Sequence, residues 1–136
     1  MEIGTGTGYL TALLSQLAKR VTTIEIIPEL AKEALQNLKS LNLHNITLLI
    51  GDGVQTRTNE DPYDVIILTG SLPILPKVLR EQLSINGKLF AVIGKPPAMS
   101  ALLLTRINKE YWREKILFET ELPPLLYSST EQGFQF

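Results

Sequence analysis

Seven residues at the start of the chain, Glu2-Ile3-Gly4-Thr5-Gly6-Thr7-Gly8, restrict its fold more than any other stretch. Glycine at every second position weakens both helix and strand, so the backbone there must turn. An amphipathic segment follows at once: Tyr9 to Lys19 puts Leu10, Leu13, Leu14, Leu17 and Ala18 on one helical face. A glycine turn feeding a helix leaves unpaired N–H groups at the helix start and lets a ligand approach the backbone closely. Dinucleotide sites space such a turn as G-x-G-x-x-G, with the pyrophosphate on the helix N-terminus. Here the third glycine comes one residue early, at Gly8, and Tyr9 takes the dinucleotide position. The spacing therefore favours a ligand with a smaller, uncharged linker over NAD. An NAD-binding oxidoreductase domain is the competing enzyme reading, and a strand-to-helix turn without a ligand is the bland one.

Downstream, short apolar runs alternate with helical segments. Val21 to Ile26 reads as a strand, and Pro28 suits the first turn of a helix running to about Leu41. Its apolar side holds Leu30, Ala34, Leu35, Leu38 and Leu41. Ile46 to Ile50 reads as a buried-type strand ending at Gly51-Asp52-Gly53, and a polar loop, Gln55 to Pro62, leads to a strand over Tyr63 to Thr69. Ile74 to Leu83 is a short helix, which Asn86-Gly87 turns into a strand over Lys88 to Ile93. Leu102 to Ile107 and Tyr111 to Phe118 flank Asn108-Lys109 as an antiparallel hairpin, and Pro123-Pro124 stops further regular structure. Strands without alternation, linked by helices, predict a mostly parallel sheet covered on both faces. The expected fold class is α/β: one Rossmann-like, doubly wound domain with a C-terminal antiparallel hairpin at one edge. Ligands in such sheets bind beyond the carboxyl ends of the strands.

Composition narrows the function classes. With 136 residues, 44% of them hydrophobic, the chain can bury one core. A net charge of −1 gives no basic footprint for nucleic acid or anionic lipid, and no apolar run approaches a membrane span. The absence of cysteine removes disulfides and thiolate metal sites, and no His or carboxylate cluster supports another metal centre. A basic leader is also missing, so a cytoplasmic location is expected. The oligomeric state is open.

The acidic residues that follow the glycine turn suggest a ligand. Glu25 ends the second strand, where a carboxylate can accept both hydroxyls of a ribose; alternatively it is an exposed acid near a helix start. Asp52 ends the third strand and could accept an adenine amino group; alternatively it closes an Asx-type turn. Thr69-Gly70-Ser71 ends the fourth strand and either lines the site or begins a loop. His44, the single histidine, reads as a solvated loop residue, and Trp112 and Tyr111 as packing residues of the hairpin.

These segments together resemble the protein-L-isoaspartate O-methyltransferase family. The similar stretches are EIGTGTGY (2–9), IEIIPEL (24–30), GDG (51–53), PYDVIILT (62–69) and NGKL (86–89), in the family's order over most of residues 1–94. The pairing of the first two is the specific part. The resemblance implies S-adenosyl-L-methionine as cofactor and methyl transfer to the free α-carboxylate of isoaspartyl residues in damaged protein or peptide. It places cofactor contacts at Glu2, Gly4, Thr5, Gly6, Gly8, Tyr9, Glu25, Ile26, Asp52, Gly53 and Thr69. The family's substrate segment, with the hydroxyl residue tied to activity, precedes the glycine loop, so catalytic residues are expected upstream of Met1. Two stretches depart from the pattern: TGSLP (69–73) replaces an alanine-rich stretch, and LFETELPPL (117–125) resembles a divergent bacterial subgroup. A catalytically inactive interaction module is the remaining alternative.

The first strand of such a sheet is central, yet only Met1 to Ile3 precede the turn, where about 5–6 residues are usual. A stub there threatens to leave buried backbone groups of its neighbours unpaired. The chain is therefore expected to be amino-terminally truncated, lacking the substrate segment and most of that strand.

Overall fold

The computed structural model describes residues 1–59 and 62–127. Seven strands form a single sheet in the order β3-β2-β1-β4-β5-β6-β7. In chain order these are β1 (Glu2–Ile3), α1 (Tyr9–Leu17), β2 (Val21–Glu25), α2 (Pro28–Ser40), β3 (Ile46–Ile50) and β4 (Tyr63–Leu72). They are followed by α3 (Lys77–Glu81), β5 (Leu83–Lys95), β6 (Ala98–Arg106) and β7 (Trp112–Glu119). The first five strands pair in parallel, and β5, β6 and β7 are antiparallel. The expected class and edge hairpin are thus the observed ones. Right-handed crossovers put α1 and α2 on one face, because both step outward from β1. The step from β4 to β5 runs the other way along the sheet, so α3 covers the opposite face.

β1 is short and central. It pairs Glu2 with Thr23 and Ile67, and Ile3 with Ile24 and Leu68. Met1 meets part of the expected pairing deficit: its amino group donates to Val65 O at 2.7 Å, and its carbonyl accepts from Ile67 N–H. Burial pushes that amino group down to about 6, against the pull of the nearby Glu2 and Asp64 carboxylates.

The main core lies on the α3 face, where Ile3, Ile66, Leu68, Leu79, Leu89 and Leu104 are among its buried members. Trp112 anchors the hairpin to it: the indole N–H donates to Arg80 O, and the Arg80 and Arg106 guanidiniums lie 5.2 and 5.0 Å from the ring centroid. The other face is less filled. Helix α1 turns Thr11 and Ser15 toward the sheet, not its leucines, and Leu17 is 86% exposed. The expected leucine face is thus displaced, because the buried Glu2 carboxylate beneath the helix needs hydroxyl donors. Met1, Leu14, Leu17, Val65 and Ile67, with Lys19, Arg20 and Asp64, line a concavity on this face.

Three further expectations shift. Strand β3 is the sheet edge, so its apolar run is not buried; Ile50 is 60% exposed. Helix α2 buries Ala31, Ala34 and Leu38, while Leu35 and Leu41 face solvent. Asn86-Gly87 does not start β5 but lies within it: Asn86 adopts φ 68, and the register with β4 shifts between Tyr63 and Val65. Of the polar loop expected over Gln55 to Pro62, residues 60 and 61 lie outside the described ones.

Candidate functional site

At the carboxyl ends of β3, β2, β1 and β4 the chain leaves a cavity of about 390 Å³. Its volume falls within the range of small-molecule sites, about 300–1,000 Å³. Each strand end contributes in spatial order: Gly51 and Gly53 after β3, Glu25 on β2, Gly4 and Gly6 after β1, and Thr69 and Gly70 on β4. Ile26, Ile27 and Leu30 form an apolar wall beside Glu25. Adjacent strands lie about 4.8 Å apart, so the cavity reaches roughly 14 Å from β3 to β4. That suits an elongated ligand with a ring at one end.

The glycine turn is set by its neighbours. Gly4 sits at φ 93, a region that favours glycine, and its N–H donates to Ile24 O. Thr69 locks the turn from the other side, its hydroxyl donating to Gly4 O at 2.7 Å with Ile3 O at 3.1 Å. Glu25 is buried at the cavity wall, and one carboxylate oxygen accepts Ile26 N–H at 3.1 Å. Asp52 uses Oδ1 to accept Val54 N–H at 3.0 Å, which is the Asx-type turn, while its flanking glycines face the cavity.

Five of the expected contact residues fall outside the cavity lining, Asp52 among them. Tyr9 is 76% exposed and lies outside the cavity lining. Gly8 packs toward Leu38 and Ala34 of α2. Thr5 and Glu2 are buried beneath the turn, where a relay of hydroxyls joins them. The Thr5 hydroxyl lies 2.6 Å from that of Thr23; Thr23 donates to Glu2 Oε2 at 2.7 Å, and Thr11 of α1 donates to the same oxygen at 2.5 Å. Since Thr23 spends its proton on Glu2, Thr5 must be the donor in their pair. Glu2 thereby braces the turn and the helix start from below, outside the cavity lining.

Glu2 Oε1 is buried with no hydrogen-bond partner among the described residues. Burial raises this carboxyl above its ordinary 4.5, outweighing the hydrogen bonds from Thr11 and Thr23. An acid with a raised folded value contributes stability that is full below the ordinary value and is lost as pH rises through the raised one. Glu2→Gln removes this titration. Melting temperatures of the two proteins should therefore diverge in favour of the variant as pH climbs from 4.5, and a pH-independent difference would contradict the assignment.

Residues 123–126 were not expected at the site. Read from the sequence, Pro123-Pro124 only ends regular structure, but Pro123, Pro124, Leu125 and Leu126 line the cavity. The available signal is the apolar run 122–126 directly after an exposed, charged edge strand.

Comparison with known proteins fits this geometry. The profile of the family described as Protein-L-isoaspartate(D-aspartate) O-methyltransferase (PCMT) matches residues 1–126. The chain belongs to this family. A relative from Geotalea uraniireducens, protein-L-isoaspartate O-methyltransferase 1, is 39% identical over 127 residues, covering 93% of this chain and 58% of that protein. A solved protein-L-isoaspartate O-methyltransferase superposes with a TM-score of 0.83 at 26% identity, covering 91% of this chain and 40% of that one. A Plasmodium falciparum structure described as the same enzyme type, in complex with S-adenosyl-L-homocysteine, shares the fold at 24% identity. Its TM-score is 0.79, with 93% of this chain and 65% of that chain covered. The chain spans about half the length of the curated relatives it matches, from 43% to 60%. Among the described residues, no helix is long and apolar enough to cross a membrane.

Proposed function

We propose that the chain binds S-adenosyl-L-methionine in this cavity and serves, within the whole protein, to methylate the free α-carboxylate of isoaspartyl residues in damaged proteins or peptides. The single observation that carries the reading is the line of four strand ends presenting a glycine turn, a buried carboxylate and a second glycine pair, in a chain of this family. The residues fit the cofactor. Glu25 would accept the ribose hydroxyls, the apolar wall at Ile26 would take the adenine ring, and Asp52 and Gly53 would meet its edge. Gly6 leaves room for close approach, since a Cβ there would meet nothing within 4 Å. Thr69 would stand near the sulfur.

When bound, the cofactor supplies an electrophilic methyl group on a sulfonium sulfur. Transfer forms a methyl ester on the acceptor and breaks the methyl carbon–sulfur bond. An acceptor carboxylate is ionised at neutral pH, so the protein needs no strong base. Its contribution is to align oxygen, carbon and sulfur and to exclude water. We place this activity in the cytoplasm, on a protein or peptide acceptor, with no role for nucleic acid or membrane; the cysteine-free, nearly neutral composition supports that.

Calorimetric titration of the chain with S-adenosyl-L-homocysteine tests the binding step, with one-site saturation as the expected result. Folded protein that gives no heat of binding would refute it. For the acceptor, the whole protein should label an isoaspartyl peptide and spare its aspartyl isomer; equal labelling would remove the isoaspartyl assignment.

A further inference from the structure

Beyond the end of β1, the edge of β4 that faces away from β5 is taken by residues 122–125. Ser71 N–H donates to Pro123 O at 2.9 Å, Leu125 N–H donates to Ser71 O at 2.9 Å, and Ser71 Oγ donates to Leu122 O at 2.9 Å. The first two bonds make an isolated parallel bridge between Ser71 and Pro124. This strap thus occupies the strand position that β1 leaves when it turns at Gly4. Gly70 permits the approach: a Cβ there would lie 2.9 Å from both Leu125 Cγ and Pro123 O, the second of which is backbone and cannot swing away. Leu125 in turn reaches Gly4, where its Cδ2 would lie 3.0 Å from an added Cβ. One side chain therefore closes the cavity between the ends of β1 and β4.

We propose that Gly70 and Ser71 are positioning residues that latch this strap, and that the latched Leu125 forms the wall against which the sulfur-bearing end of the ligand lies. The inference rests on the cofactor assignment above. Glu25 and the Gly51–Gly53 turn stand two and three strand positions away from β4, so the nucleoside end is held without the strap. Ser71 is buried and spends its hydroxyl on the strap. Small apolar residues there would supply no hydroxyl to Leu122 O.

Two ligands separate a positioning role from a general structural one. S-adenosyl-L-homocysteine spans the whole cavity, whereas adenosine needs only the nucleoside end. Titrated into Ser71→Ala, the first should bind about 3- to 10-fold more weakly, the worth of one hydrogen bond. Gly70→Ala should weaken it about 5- to 100-fold through overpacking against the strap. Adenosine should stay within about twofold of wild type in both, because no group that meets it has changed. The Leu125 amide should exchange with solvent faster in both variants, which reports the latch even if Gly70→Ala folds poorly. An equal loss for both ligands would make the residues merely structural and overturn the proposal, as would unchanged affinities. Wild-type protein that binds adenosine and the longer ligand equally well would remove the strap's role and leave the nucleoside site standing. Wild-type protein that binds neither would refute the cofactor assignment and this inference with it.

Discussion

Replacing Gly4 by alanine should destabilise the fold and abolish binding of S-adenosyl-L-homocysteine. Two effects add. At φ 93 a Cβ is strained, and an ideal Cβ built there falls 2.2 Å from Thr69 Oγ1, well inside contact distance. Left-handed backbone costs a non-glycine residue about 1–2 kcal/mol, and overpacking a filled site adds about 1–3 kcal/mol. Against a usual total stability of about 5–15 kcal/mol this is a large fraction. Relief of the contact also disturbs binding, since it must move either the turn or Thr69, and both line the cavity. Denaturant midpoints and calorimetry check both halves. Adding Thr69→Ala to Gly4→Ala should recover part of the stability by removing Oγ1, but not the strain in φ. A Gly4→Ala protein as stable and as tightly binding as wild type would show that the turn is not held as described.

The second large effect is expected at Glu25. If its carboxylate accepts two ribose hydroxyls, Glu25→Ala loses two charge-assisted hydrogen bonds of about 1.5–3 kcal/mol each, partly offset by water entering the space. A net loss near 3 kcal/mol is about 100-fold in affinity. Glu25→Gln keeps an acceptor oxygen but not the charge and should fall between, at about 10-fold. Stability should change little, because among the described residues the side chain makes one local hydrogen bond, to Ile26 N–H. Affinity for S-adenosyl-L-homocysteine within threefold of wild type in Glu25→Ala would exclude the ribose role.

Both predictions concern residues that stand out in the sequence, and the reason is local. A glycine turn between a strand and a helix can be recognised from spacing, because the backbone conformation it needs is available to few other residues. A carboxylate at a strand end is placed by the length of a short β-branched run, so Glu25 arrives at the cavity without help from distant residues. Gly53, just after β3, follows the same logic, whereas Thr69 lines the cavity from within β4, which runs on to Leu72.

Where the sequence reading fails, the deciding interaction is distant. Hydrophobic periodicity assigned α1's leucines to the core, yet the helix is rotated onto Thr11 and Ser15 because Glu2 lies beneath it, nine residues from Thr11 and 21 from Thr23. Apolar character alone made β3 look buried, since a run of branched residues does not reveal whether a strand is central or at the edge. The strap is the clearest case. Leu122 is 51 residues from Ser71, and nothing in either segment alone indicates that the other fills its open hydrogen bonds.

By itself, the sequence determined the alternation of strands and helices, the edge hairpin, the family, and the glycine turn between β1 and α1 with Glu25 one strand away. These follow from residue type and short spacing, which act within a few residues. Tertiary structure decided which members of that turn line the cavity and which brace it from below. It turned Glu2 and Thr5 inward, left Tyr9 in solvent, and brought Leu125 over Gly4 and Gly70. A side chain's direction depends on the polar groups it must satisfy and the space it can fill, and both are set by segments that meet only when the sheet closes.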